Sequence, residues 1–318
     1  MTNLNDGYAD LEAIIRSKLP TAKPDEFVKY GFKKGRQIYL HKPTGKRFIA
    51  NEALPGRRVP PYIVGDAIGL FYDGLSYRDI QRRIDERHGF KPSTATLYEW
   101  VRDYVRRGRQ FLSGLKARTG DTWAADEMMT RIDGKQIWVW SVMDTKTRYL
   151  LATHISTTRT IPDAVTLFSK AAERAATTPK RIITDRMRAY IDGIERVFGA
   201  DTHHAQTAGI RESEINNNIA ERLHGTIRER TKVMRGMETK STAELVMDGF
   251  MLHYNHMRPH HALKGKTPAE AAQLPVVFHD WIEVAHLQDA TFQKREEFKE
   301  HVLKRRPFRD KAFRTRRF

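Results

Sequence analysis

The chain has no cysteine, no apolar run of membrane-spanning length, and far fewer acidic than basic side chains. The first absence excludes disulfides and thiolate metal sites, so a bound metal must be met by oxygen or imidazole. The second argues against a membrane-spanning helix, and residues 1–20 lack the charged, then apolar, then small-residue order of a signal peptide. A cytoplasmic protein without a membrane partner is the expectation. The third leaves 56 Lys and Arg against 39 Asp and Glu, a net charge of +17 and an isoelectric point near 10.0. That surplus points to a polyanion, of which nucleic acid is the common one; a soluble basic enzyme is the plainer alternative. At 318 residues, 40% of them apolar, the chain exceeds one ordinary core and divides into two or three domains.

The acidic residues that are present form a pattern. Ile182-Ile183-Thr184-Asp185 is a short apolar run ending in a carboxylate, and Trp123-Ala124-Ala125-Asp126-Glu127 offers another in an extended segment. Asn216 to Arg228 reads as a helix carrying Glu221. Two carboxylates from strands and one from a helix are what a two-metal phosphoryl-transfer site requires, because oxygen ligands suit magnesium and a pair of metal ions can clamp the attacking and leaving oxygens. At about 100° per residue, Ile219, Leu223, Ile227 and Met234 fall on one side of that helix. Asn217, Glu221, Arg228 and Lys232 fall on the other. A solvated charged face accounts for this second side equally well by angle alone.

Residues 60–107 read as three short helices. Ile63, Val64, Ala67, Ile68 and Phe71 recur at helical spacing before Gly74. Ser76 with Asp79 makes a capping-box start to a second helix ended by Gly89, and Pro92-Ser93 opens a third. Three helices of this size resemble a helix-turn-helix module. The third would be its recognition helix, with Thr94, Thr96, Tyr98, Glu99 and Arg102 outward. Groove-reading helices use their N-terminal half, which favours Thr94, Thr96 and Tyr98 as base contacts. Arg82, Arg83, Arg106 and Arg107 are positioned to hold phosphates. A three-helix bundle that binds nothing is the alternative. Gly108 to Gly120 reads as a basic linker.

Beyond the linker the pattern becomes β-rich. Residues 123–131, 136–143 and 148–155 read as strands, with Asp133-Gly134 a strong hairpin signal between the first two. A helix with Pro162 near its start and Ala164, Leu167, Phe168, Ala171 and Ala175 on its buried face follows, ahead of the strand ending at Asp185. Three antiparallel strands, a crossover helix and a strand beside the first is the RNase H-like order. It places Asp126 near Asp185.

Residues 123–127, 182–190, 216–236 and 254–269 resemble the DDE transposases of bacterial and archaeal insertion sequences and, more distantly, retroviral integrases. The most specific parts are Asn217-Asn218-Ile219-Ala220-Glu221-Arg222-Leu223-His224-Gly225-Thr226 and Tyr254-Asn255-His256-Met257-Arg258-Pro259-His260. The resemblance implies an α/β protein: an RNase H-like catalytic domain with a mixed five-stranded sheet over residues 118–275, preceded by an all-α helix-turn-helix domain over 60–107. It implies a two-metal-ion polynucleotidyl transferase in which Asp126, Asp185 and Glu221 hold two Mg²⁺ or Mn²⁺ ions. Arg228 would be the family's basic residue seven positions past the glutamate, and Lys232 and Arg102 join it as DNA contacts. The implied partners are double-stranded DNA, as terminal inverted repeats and as target, and further copies of the chain in a homodimer or larger oligomer. Chemistry would be direct strand cleavage and transfer without a covalent enzyme intermediate, in a prokaryotic, nucleoid-associated protein.

Residues 1–56 resemble the small zinc ribbons that precede many such transposases. The ribbon's cysteine pairs would fall at Leu19 and Ala22, then His41 and Thr44. None is cysteine, so no zinc is expected there; an unrelated basic hairpin is the alternative. Asp133, Asp144 and Asp121 fit turns and strand ends better than a metal site, and Glu127 should point to the opposite face from Asp126. His203 and His204 read as loop surface, and His253, His256, His260 and His261 as a helix end that packs and meets DNA backbone. Residues 285–318 form a basic tail, with eight basic residues against one acidic from Lys304 to Phe318. Two further functions stay open: a domesticated DNA-binding descendant without transposition, which would not need three carboxylates, and a structure-selective RNase H-like nuclease, which would not need residues 60–107.

Overall fold

The computed structural model describes residues 21–33, 36–49, 59–185, 187–206, 218–232, 239–275 and 278–287. Leu19, Asn216, Asn217, Met234 and the tail from Lys304 to Phe318 lie outside them. The N-terminal part is a three-stranded antiparallel sheet, β1 (Phe27–Lys33), β2 (Arg36–His41) and β3 (Lys46–Ile49), in that order. Buried His41 has Nδ1 2.8 Å from Thr44 Oγ1 and Nε2 3.2 Å from the Glu26 carboxylate. Two positions where a ribbon would carry metal ligands are thus joined by a hydrogen bond.

Next come α1 (Pro61–Tyr72), α2 (Tyr77–His88) and α3 (Thr94–Leu112). Ser76 Oγ accepts from Asp79 N, Ser93 Oγ accepts from Thr96 N, and Gly89 ends α2 in the left-handed region at φ 59°. These are the local signals read from sequence, because a cap satisfies amides within its own turn. The third helix does not stop at a linker beginning with Gly108. Val101, Tyr104, Val105, Gly108 and Phe111 carry its buried stripe on to Leu112. Gly108 is there because a Cβ would fall 2.4 Å from Leu252.

The main sheet comprises β4 (Thr122–Ile132), β5 (Lys135–Asp144), β6 (Leu150–Ser156), β7 (Arg181–Thr184) and β8 (His203–Gln206). Its order is β6-β5-β4-β7-β8; the first three strands are antiparallel, and β4-β7 and β7-β8 are parallel. This is the mixed five-stranded RNase H-like sheet expected. Asp133 and Gly134 turn the first hairpin with φ of 48° and 72°, the double positive φ that a tight two-residue hairpin needs. His203 and His204, read as loop surface, instead form the edge strand β8, held by parallel pairing to β7. Its four residues are too short and polar to announce a strand.

Both faces of the sheet are covered, as parallel strands demand. Helices α4 (Ile161–Arg174) and α5 (Arg188–Phe198) pack on one face, with Trp123, Trp140, Leu151, Phe168 and Tyr190 in a shared core. On the other lie α6 (Asn218–Lys232) and α7 (Lys240–His256), where Met128, Ile137, Val139, Leu223, Ile227 and Phe250 meet. Helix α7 is capped by Thr239, whose Oγ1 accepts from Thr242 N. The short helices α8 (Pro268–Ala271) and α9 (Trp281–Ala285) follow. No helix of the described residues is long and apolar enough to cross a membrane.

The core on the α6–α7 face runs without interruption into α1, α2 and α3. Two glycines permit the closest approaches. A Cβ on Gly65 of α1 would lie 2.5 Å from the Ile282 backbone, and one on Gly249 of α7 would lie 1.8 Å from the Tyr72 hydroxyl oxygen. Gly65→Ala should therefore cost about 1–3 kcal/mol, since backbone rather than a movable side chain stands in the way. Gly225→Ala on α6 meets nothing within 4 Å and should gain up to about 1 kcal/mol from helix propensity. Chemical denaturation of both variants checks this; a Gly65→Ala protein as stable as its parent would refute the close packing of α1 on α9.

Candidate active site on the β4–β7 seam

Strand register brings the first two carboxylates together. Ala124 of β4 pairs with Ile183 of β7 in parallel. Two residues further on come Asp126, still within β4, and Asp185, the residue that follows β7. In-register parallel neighbours stand about 4.8 Å apart and, at equal offsets, point to the same face. The face is the one that α6 covers: His224 Nδ1 of α6 is 3.5 Å from Asp126 Oδ2. Glu221 lies one turn before His224 and is exposed, and Arg228, one turn after it, is exposed too.

Asp126 is a carboxylate in a hostile place. Burial pushes its pKa up to about 7, and the charges of Glu127, Asp185 and Glu221 add to the rise, opposed by a hydrogen bond from the Glu127 amide. His224 is driven the other way, to about 4, by burial and then by the Arg228 guanidinium, so it is neutral at pH 7. Its Nε2 lies 3.2 Å from Ser141 Oγ, which also donates to the Asp126 carbonyl at 3.3 Å. Ser141 is directly opposite Asp126 in the β4–β5 register. Asp185 Oδ1 accepts from Met187 N at 3.0 Å, bracing the carboxylate against the start of α5. Among the described residues, no three of His, Asp and Glu converge closely enough to chelate one ion as they stand.

Glu127 does point to the opposite face. Its side chain is only 3% exposed, paired with Arg159, and it accepts from the Tyr190 hydroxyl at 2.7 Å. Asp144 is fully buried and accepts from Thr147 N at 2.8 Å, Asp133 sits in the hairpin turn, and Asp121 pairs with Lys180 on the surface. Lys232 is exposed near the end of α6. On α3, Thr94 is exposed, Thr96 and Tyr98 are half-buried, and Arg102 pairs with the neighbouring Asp103 at 3.0 Å. Arg82 pairs with Asp79, and Arg107 donates to the Leu287 carbonyl at 2.8 Å, so Arg107 is engaged in tying α3 to the C-terminal segment.

Several residues of the site and its support escaped the sequence reading. His224 and Ser141 meet across 83 positions, and no local pattern pairs them. Nε2 of His204 is 2.7 Å from Thr184 Oγ1, beside Asp185. The helix of α5 could have been found from Tyr190, Ile194 and Val197 at helical spacing. In the Tyr254–His260 motif, Asn255 is structural: its amide both accepts from Leu150 N at 2.8 Å and donates to Leu150 O at 2.9 Å. His253 accepts from Trp281 Nε1, His256 is buried beside Phe278, and His260 packs edge-on to Tyr254.

Residues 120–260 match a family model described as a DDE domain. Over that span the chain is similar to the DDE domains of transposases, and its five-stranded sheet has the RNase H-like order. An uncharacterized protein of Methanocaldococcus jannaschii is 26% identical over 121 residues, 38% of this chain and 53% of that protein. The chain thus spans about half the length of the curated relative it matches. Among solved structures, the HTLV-2 integrase catalytic core domain, in complex with magnesium, is similar at 14% identity and a TM-score of 0.39, covering 49% of this chain and 99% of that one. The catalytic core domain of BIV integrase is similar at 17% identity and a TM-score of 0.35, covering 48% and 93%. The similarity to DDE domains rests on the family model.

The raised pKa of Asp126 has a stability signature. An unfolded aspartate ionises near 3.9, whereas folded Asp126 does so at about 7. Between those values the folded state binds more protons than the unfolded one, so this group's contribution falls as pH rises through the window. Asp126→Asn should be more stable than the parent at about pH 8, with the gap closing toward pH 4. Thermal midpoints across that range test it, and a difference independent of pH would remove the repulsive environment assigned to Asp126.

Proposed function

We propose that this protein is a DNA transposase that binds the ends of its own insertion element and catalyses metal-dependent strand cleavage and transfer into target DNA. The observation that carries this reading is the β4–β7 register, which sets Asp126 beside Asp185 beneath the helix that bears Glu221. Asp126, Asp185 and Glu221 are the residues that would hold two Mg²⁺ or Mn²⁺ ions. An all-carboxylate set suits these hard cations, and the crowding of negative charge that lifts Asp126 is what a divalent cation relieves. When bound, the ions would supply Lewis-acid charge to the attacking and leaving oxygens of the phosphodiester.

The chain's own groups would do the rest. His224, neutral and wedged between Asp126 and Ser141, holds the Asp126 carboxylate in place without adding a competing positive charge. Arg228 and Lys232 extend an exposed basic edge from Glu221 along α6, suited to a phosphate next to the reacting bond. The module at 60–107 would read element ends through Thr94, Thr96 and Tyr98, with Arg102 as a further contact. The catalytic domain would occupy 118–275, with residues 1–56 and 285–318 as basic flanks. Partners are double-stranded DNA and further copies of the chain, and the site of action is the prokaryotic nucleoid.

Two experiments test the reading. Asp126→Asn, Asp185→Asn and Glu221→Gln should each abolish Mg²⁺-dependent strand transfer in vitro while end binding survives, and Asp144→Asn should not act through the chemistry. Full transfer by any of the first three would remove that residue from the site. Arg228 carries only donors and cannot be a metal ligand. Arg228→Ala should weaken end complexes, reduce strand transfer and lower the slope of log affinity against log salt by about 1, whereas Arg222→Ala, off that face, should do less. Unchanged binding, slope and transfer in Arg228→Ala would mean a solvated face and nothing more.

A further inference from the structure

Helix α6 carries a second arginine whose position solvation cannot explain. Arg230 is 3% exposed, and none of its three nitrogens has a hydrogen-bond partner among the described residues. Its guanidinium lies 3.6 Å over the Phe71 ring of α1, which stacks on Tyr77. A ring face offsets part of the charge but accepts none of the five in-plane N–H bonds. Leaving such buried donors unmet is among the costlier arrangements a fold can hold. Burial lowers the pKa of Arg230 to about 10, with the nearby Tyr72 and Tyr77 phenols opposing the fall, so the group remains a cation at pH 7.

Arg230 lines a cavity of about 380 Å³ between α1, α6 and α7, together with Tyr72, Thr226, His253, Tyr254 and Arg258. The Tyr72 hydroxyl is a further buried polar group without a partner. Arg258 is exposed at the mouth. Two carboxylates, Asp73 and Glu229, also line it. Asp73 faces His253 Nε2 at 3.7 Å, and Glu229 is solvent-exposed. Neither bonds to Arg230.

We propose that this cavity is an oxyanion site that takes one phosphate group, with Arg230 as its floor and Arg258 at its mouth. A tetrahedral phosphate offers several acceptor oxygens, enough to meet a guanidinium in the two-pronged manner and to engage the Tyr72 hydroxyl as well. Inorganic phosphate and a DNA backbone phosphate share that chemistry. Occupancy would clamp α6, the helix of Glu221, to α1 of the helical module where the buried Arg230 stands against Phe71. The site's existence does not depend on the transposition reading.

Calorimetric titration of the full chain with sodium phosphate, at ionic strength matched with chloride, tests the site. The parent should bind phosphate saturably and gain thermal stability with it. Arg230→Met, which keeps the stem and removes the donors, should lose both responses. Arg258→Ala, a change at the exposed mouth, should bind roughly tenfold more weakly, equivalent to about 1.4 kcal/mol. No saturable phosphate binding by the parent, or equal binding by the parent and Arg258→Ala, would overturn the proposal, and the second variant keeps it falsifiable if Arg230→Met does not fold. Repeating the titration with saturating duplex DNA assigns the source. Loss of phosphate binding identifies a backbone phosphate as occupant, and undiminished binding identifies the free ion. Strand transfer enters neither measurement, so failure here and failure of the transposase reading are separable.

Discussion

The parallel pairing of β4 with β7 is the constraint from which the rest follows. It cannot be made by a hairpin; the chain must leave β6, cross the sheet as α4 and return in register beside β4. That crossover forces the face bearing Trp123, Trp140 and Phe168 to be roofed by α4 and α5. Close roofing follows: a Cβ on Gly193 of α5 would come within 2.7 Å of the Ala164 Cβ. With that face sealed, Asp126 within β4 and Asp185 just after β7 lie toward the opposite side, where α6 lies.

Burying like charges there is unfavourable by itself, and the surroundings are arranged to hold the groups without neutralising them. His224 is held neutral by burial and by Arg228. Ser141 braces the β4 backbone and the imidazole together. Glu127, a carboxylate that would worsen the crowding, is turned to the other face and tied to Arg159 and Tyr190. The result is a buried carboxylate that shifts to about 7 rather than being paired with an arginine.

The helical module is not a bead on a string. Its core is continuous with that beneath the main sheet, and α9 packs back on α1 so closely that only glycine fits at position 65. Any force on the module is therefore transmitted into α7 and α6 through packed side chains rather than through a linker. Arg230 stands at that junction, one helix with Glu221 and against Phe71.

By itself the sequence determined whatever is written within a turn or a strand. The Ser76 and Ser93 caps, the Asp133-Gly134 hairpin, the apolar stripe of α1 and the strand-like segments around Asp126 and before Asp185 were all legible. Each rests on hydrogen bonds or periodicities spanning a few residues. Tertiary structure alone decided the rest. The continuation of α3 past Gly108 depends on Leu252, the strand identity of His203 and His204 depends on pairing with β7, and the role of Asn255 depends on Leu150. The meeting of His224 with Ser141 and the burial of Arg230 against Phe71 belong to the same class. A charged residue on a helix looks the same in sequence whether its face meets water or a second helix, because its environment is set by partners far away along the chain.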